Sequence, residues 1–206
     1  MQQVRAAPGS RWYLGGGAAY TQPYFFGLIN DIYATAPASL SLVALAGRDT
    51  TLVGDHSYGF ELLAARSLPV SAQQPGFAPT FSAQYPAGAT IHYSHIAQTL
   101  GIASLTYQYT IAQWLTLAAR LGVGVRHLEA TIILEKDGNV YRAASPGGAM
   151  AILSVALGAL FNLGDYGRIG IFYRTVPPVV YPVAVGTATV RSADMLSLEY
   201  TFFLPQ

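Results

Sequence analysis

Apolar residues fall at every second position over long stretches of this chain. In 104–111, Leu105, Tyr107, Tyr109 and Ile111 alternate with Ser104, Thr106, Gln108 and Thr110. In 115–125, Leu115, Leu117, Ala119, Leu121, Val123 and Val125 oppose Thr116, Ala118, Arg120, Gly122 and Gly124. In 194–203, Leu196, Leu198, Tyr200 and Phe202 oppose Ser197, Glu199 and Thr201. The same alternation runs through 58–67 and 11–21, where Trp12, Leu14, Ala18 and Tyr20 oppose Tyr13, Gly15, Gly17 and Thr21. A period of two is that of a strand with unlike faces. Sandwich strands average about 5–6 residues, whereas a membrane-crossing barrel strand needs about 9–11. These segments fit the longer class.

The pattern predicts eight strands, at 11–21, 39–47, 58–67, 102–111, 115–134, 140–161, 167–175 and 193–203. Short connections (112–114, 162–166) alternate with long ones (22–38, 68–101, 176–192), and 129–145 reads as a hairpin extension around Asp137-Gly138. Residues 48–57 are long for a turn on the short-connection side, and 1–10 form an N-terminal periplasmic segment. Trp12, Trp114, Tyr109, Phe161, Tyr166, Tyr200 and Phe202 gather at the short-turn end, and Tyr20, Tyr24, Phe25 and Tyr173 at the other. Two belts of rings are what membrane interfaces favour. The expected fold class is therefore all-β: an antiparallel up-and-down transmembrane β-barrel of eight strands with long extracellular loops, one domain over 1–206. A helical membrane protein fits less well. The best apolar run, 147–163, is shorter than the about 20 residues a helix needs and carries three glycines.

Composition points the same way. Of 206 residues, 10% are charged and 52% hydrophobic, where a soluble domain carries about 25% charged. A net charge of +1 gives no electrostatic case for nucleic acid. With no cysteine, disulfides, thiolate zinc sites and a Cys nucleophile are excluded. The first ten residues contain no apolar run. The expectation is a bacterial outer-membrane protein whose secretory leader has been removed.

Parity places Glu61, Gln108, Arg120, Arg168, Arg174 and Glu199 on inner faces. A lumen of eight strands is one that side chains just fill. A charge there must be paired, so an internal network of Arg–carboxylate pairs is expected around Glu61, Arg120 and Glu199. Such a network reads either as a polar plug or as a narrow ion path. The inner parity of the sixth strand is also apolar (Met150, Ile152, Leu160), which motivates a third reading as a carrier of small hydrophobic molecules.

On these residues the chain resembles the small OmpA/OmpX-type outer-membrane barrels. The segment 195–203, MLSLEYTFF, is similar to the C-terminal signature read by the barrel-assembly machinery, with Leu198, Tyr200, Phe202 and Phe203 as its core. It departs from that signature in the added Leu204-Pro205-Gln206. The resemblance implies a structural, adhesion or surface-interaction role and a monomer. The implied partners are outer-membrane lipid, lipopolysaccharide and, during biogenesis, the assembly machinery. It implies no cofactor and no metal. His92-Tyr93-Ser94 resembles the His-x-Ser of the lipid A deacylase barrels, which gives a lipid hydrolase as the alternative. The carry-over covers His92 and Ser94, and the orienting Glu that family places shortly afterwards has no match. Asp31, Asp49, Asp55, Glu135 and Asp137 could supply oxygens to an outer-loop cation, in no calcium-loop spacing. Gly15-Gly16-Gly17 reads as a site of close packing within a strand, not as a phosphate loop.

Overall fold

The computed structural model describes residues 9–22, 24–29, 32–74, 90–143, 148–183, 186–190 and 194–205. Its strands in chain order are β1 Ser10–Thr21, β2 Tyr24–Ile29, β3 Ile32–Ala36, β4 Ser39–Val53, β5 His56–Ser67, β6 Val70–Gln74 and β7 Thr90–Ala112. They continue with β8 Leu115–Lys136, β9 Asn139–Ala143, β10 Gly148–Asn162, β11 Arg168–Thr175, β12 Val179–Val183, β13 Gly186–Val190 and β14 Met195–Phe203. Eight of them close a ring in the order β1, β4, β5, β7, β8, β10, β11, β14, with every pair antiparallel. It is an eight-stranded up-and-down barrel.

The register sets its shape. A row of paired residues starting at Trp12 passes through Arg48, Phe60, Leu105, Leu121, Val155 and Thr175. It reaches Asp194, whose carbonyl accepts from Gln22 N at 2.9 Å, so one circuit climbs β1 from position 12 to position 22. A shift of that size goes with strands tilted by about 35–45° and a lumen filled by side chains.

Alternation becomes inside and outside. Leu42, Leu105 and Val123 on the outer face are 68%, 71% and 64% exposed, while Leu63, Leu100 and Ile102 on the inner face are 5%, 1% and 3% exposed. Facing water, such an outer wall would be a large apolar liability; facing lipid it is the expected surface. Among the described residues no helix is long and apolar enough to cross a membrane.

Several boundaries differ from the sequence reading. The strand expected at 102–111 begins at Thr90, so the end of the 68–101 loop is strand, and β6 also lies within that span. The 48–57 connection is a tight turn: β4 runs on to Val53, and Gly54-Asp55 reverses the chain with Gly54 at φ +64°. The strand expected at 140–161 is two strands, β9 and β10, because β9 pairs back on β8 around Asp137-Gly138. The connections 22–38 and 176–192 hold the hairpins β2–β3 and β12–β13, which join into a second, four-stranded sheet.

That sheet, in the order β12, β13, β2, β3, follows the ring order β11, β14, β1, β4, so with the extended β6–β9 wall it continues the barrel outward at the long-loop end as a cap. β3 runs beside β6, and β12 beside β10. Tyr93, Ile96, Ala97, Leu128 and Ala130 are each under 4% exposed, so the cap has a core of its own.

Candidate functional site

The lumen is built in tiers, each fixed by the register of the strands around it. Nearest the short turns, Arg168 on β11 donates from Nη2 to Asp49 Oδ2 at 2.6 Å and from Nη1 to Gln108 Oε1 at 2.9 Å. Gln108 Nε2 closes the triangle by donating to Asp49 Oδ1 at 2.9 Å. Three strands, β4, β7 and β11, are thus tied across the lumen.

In the middle tier Arg120 spans two carboxylates. Nη2 reaches Glu61 Oε2 at 2.8 Å and Nη1 reaches Glu199 Oε2 at 2.8 Å. Tyr13 OH donates to Glu61 at 3.1 Å, and Ser197 Oγ donates to Glu199 Oε1 at 2.8 Å. The guanidinium stacks on the Phe172 ring, 3.5 Å from its centroid. Arg174 donates from Nη1 to Ser154 Oγ at 3.1 Å in the same region. Buried ion pairs hold only when geometry and extra hydrogen bonds offset desolvation, and Tyr13, Ser197 and Phe172 supply that support. Tyr13 has room because its partner across the register, Gly47, has no side chain; a Cβ there would collide with the phenol ring.

Above this tier Val43, Leu45, Leu63, Leu100, Ile102 and Ile152 form one buried apolar cluster, with the buried Arg126 in register with Leu100 and Met150 beside it. Met150 and Ile152 of β10 are 3% and 5% exposed and belong to this upper part, while Leu160 packs lower down with Phe172. The mixed inner face of the sixth predicted strand reflects those apolar layers. Higher still, Gln98 N donates to Ser67 Oγ at 2.8 Å.

All six residues assigned to the interior are buried. Glu61, Arg120 and Glu199 meet in one cluster, and Gln108 and Arg168 meet in another around Asp49. Sequence reasoning missed Tyr13, Asp49, Phe172 and Arg126. Arg126 is fully buried and shares the parity of Arg120 six residues earlier, so the signal was present. Asp49 corrects the outer-loop cation set: it lies inside the barrel at the short-turn end, and Asp55 sits in the turn below it. Glu135 instead meets His92 Nε2 at 3.3 Å, and Asp31 lies outside the described residues. Among the described residues no group of metal-binding side chains is present.

His92 and Ser94 lie on β7 opposite Ile133 and Thr131, at the start of a bulge running to Ala97 in which His95 has φ +55°. Tyr93 between them is buried in the cap, and burial pushes its phenol up to about 12.

The outer wall carries the aromatic belts. At the short-turn end Trp12 meets Phe60 edge-on at 5.5 Å, Trp114 stacks on Phe161 at 6.3 Å, and Tyr200 OH donates to the Tyr166 carbonyl at 2.6 Å. Tyr109 and Phe202 are exposed at the same end. At the other end Tyr20 faces outward and Tyr173 OH donates to Asp194 at 2.6 Å; the side chains of Tyr24 and Phe25 lie outside the description. On β14, Leu198, Tyr200 and Phe202 point outward while Phe203 packs against the inner cluster.

No family profile and no curated protein matches the sequence. Solved structures do. Neisserial surface protein A superposes with a TM-score of 0.54 at 12% identity, over 95% of this chain and 99% of that one. The chain has the fold of the eight-stranded outer-membrane barrels. Weaker likenesses are OmpT, the outer membrane protease of Escherichia coli (TM-score 0.49, 9% identity, 98% and 99% covered), and Ail, the attachment invasion locus protein of Yersinia pestis (0.46, 14%, 95% and 100%). The outer-membrane barrel fold accounts for the apolar wall, the two belts and the tiered lumen together.

Proposed function

We propose that this outer-membrane barrel sits in the bacterial outer membrane with its short turns in the periplasm, as a non-enzymatic protein that acts through its outward cap. The barrel is the anchor and the cap is the surface it presents. The observation that carries this reading is the lumen. Two tiers of committed ion pairs, Asp49–Arg168 and Glu61–Arg120–Glu199, lie beneath an apolar layer. A solute crossing would have to break buried pairs that geometry and extra hydrogen bonds hold, and then pass closely packed side chains, which is costly. Such a lumen favours a structural or surface-interaction role over a channel or carrier. Planar-bilayer recording on the refolded protein is expected to show no large steady conductance. A stable open level that persists across voltages would overturn the reading.

A further inference from the structure

The lipid-facing wall has one feature that neither the plugged lumen nor the cap uses. Arg48 on β4 points outward in the lower aromatic belt, between Trp12 and Phe60 in the register. Its guanidinium lies 5.4 Å from the centre of the Trp12 ring. Among the described residues its one side-chain hydrogen bond is from Nη2 to Ser10 Oγ, at 2.7 Å. Nε is shielded from solvent without a hydrogen-bond partner, and among the described residues Arg48 makes no ion pair with a carboxylate. At the opposite belt the outward Arg66 is matched by Glu129 at 3.0 Å; among the described residues Arg48 has no such match.

Beside Arg48 runs a groove of about 610 Å³, lined by Ser10, Thr50, Tyr58, Phe60 and Leu105 among others. Its chemistry is graded. The guanidinium and the hydroxyls of Ser10 and Thr50 make one part polar, and Phe60 and Leu105 make the other part apolar. A guanidinium facing hydrocarbon is costly, and a planar fork of donors suits a phosphate. Aromatic belts mark the headgroup level, so the polar part lies where lipid phosphates lie and the apolar part runs toward the acyl chains.

We propose that this groove holds one glycerophospholipid of the leaflet at the short-turn end, its phosphate on Arg48 and one acyl chain along Phe60 and Leu105. The proposal rests on the membrane reading above and deepens it. The site fastens the barrel to one leaflet through a single cation, independently of the cap.

The test is native mass spectrometry of the refolded full chain in a neutral detergent. Separate samples receive phosphatidylglycerol, diacylglycerol with the same acyl chains, or inorganic phosphate. Wild type is expected to retain one phosphatidylglycerol and neither of the other two. Losing the charge-assisted bonds in Arg48→Gln should lower the retained fraction about tenfold, and Arg66→Gln should leave it unchanged. Equal retention by Arg48→Gln, equal retention of diacylglycerol, binding of phosphate alone, or loss in Arg66→Gln would each overturn the site. Should Arg48→Gln not fold, Arg48→Lys is read instead: it keeps the charge without the fork, and retention equal to wild type overturns the site. Each sample is also run on a gel before and after heating. A wild type that lacks the folded-barrel shift counts against the membrane reading itself, whereas a shifted band without lipid counts against the groove alone.

Discussion

Arg120 holds the middle of the lumen by serving two carboxylates at once, with a phenol, a hydroxyl and a ring in support. Removing it leaves Glu61 and Glu199 facing each other without their cation. Arg120→Ala should therefore cost about 3–5 kcal/mol, whereas Lys136→Ala beside the outer turn should stay within about 0.5 kcal/mol. Urea titration of the two refolded variants checks the contrast, and equal midpoints would contradict it. Gly47 acts on the same tier by absence. Its inner face is covered by the Tyr13 ring, so Gly47→Val should cost about 1–3 kcal/mol through overpacking. The same substitution in a Tyr13→Ala background should cost clearly less, because neighbours that share a space are not additive. A full, additive penalty in the double variant would show that Tyr13 does not occupy that space.

Strands were legible in proportion to how cleanly their two faces differ. The segment 115–125 alternates without a break and shows the start of β8 at 115, while in β7 the alternation is clear only from 102 onward. In the first part of β7 the pattern is interrupted by the bulge between Ser94 and Ala97, which shifts the faces out of phase. Two buried apolar neighbours, Ile96 and Ala97, follow one another there, and no period of two can show that. The turn at Gly54-Asp55 was hidden for a different reason. Asp49 lies inside the barrel, yet a charged residue near Thr50 and Thr51 reads as a connection when its partner, Arg168, is 119 residues away. Ion-pair partners across a lumen are set by register, which a single sequence does not display. The bulge carries a prediction of its own. His95 is held at φ +55°, a region that costs a non-glycine residue about 1–2 kcal/mol. His95→Gly should relieve this and slow hydrogen exchange of the amides in the first part of β7, leaving exchange in β8 near Arg120 unchanged. Faster exchange in the cap would mean that the His95 side chain contributes more than its backbone strain removes.

At the scale of the molecule the wall and the lumen answer opposite solvents, and both follow from one register. A shift of one residue would turn Leu117 and Leu121 of β8 and Leu196 and Leu198 of β14 inward and the ion pairs outward, so the same alternation that marks the barrel in the sequence also fixes it in space. The first and last strands are neighbours: β14 pairs with β1 from Met195 to Phe203, and Leu204 N still donates to the Trp12 carbonyl at 2.9 Å. Glu199 of that last strand supplies half of the Arg120 clamp. Closure of the ring therefore waits for β14. Until then Arg120 lacks one of its two carboxylates and the wall has an open edge, which makes the seam between β1 and β14 the step that completes shell and lumen together.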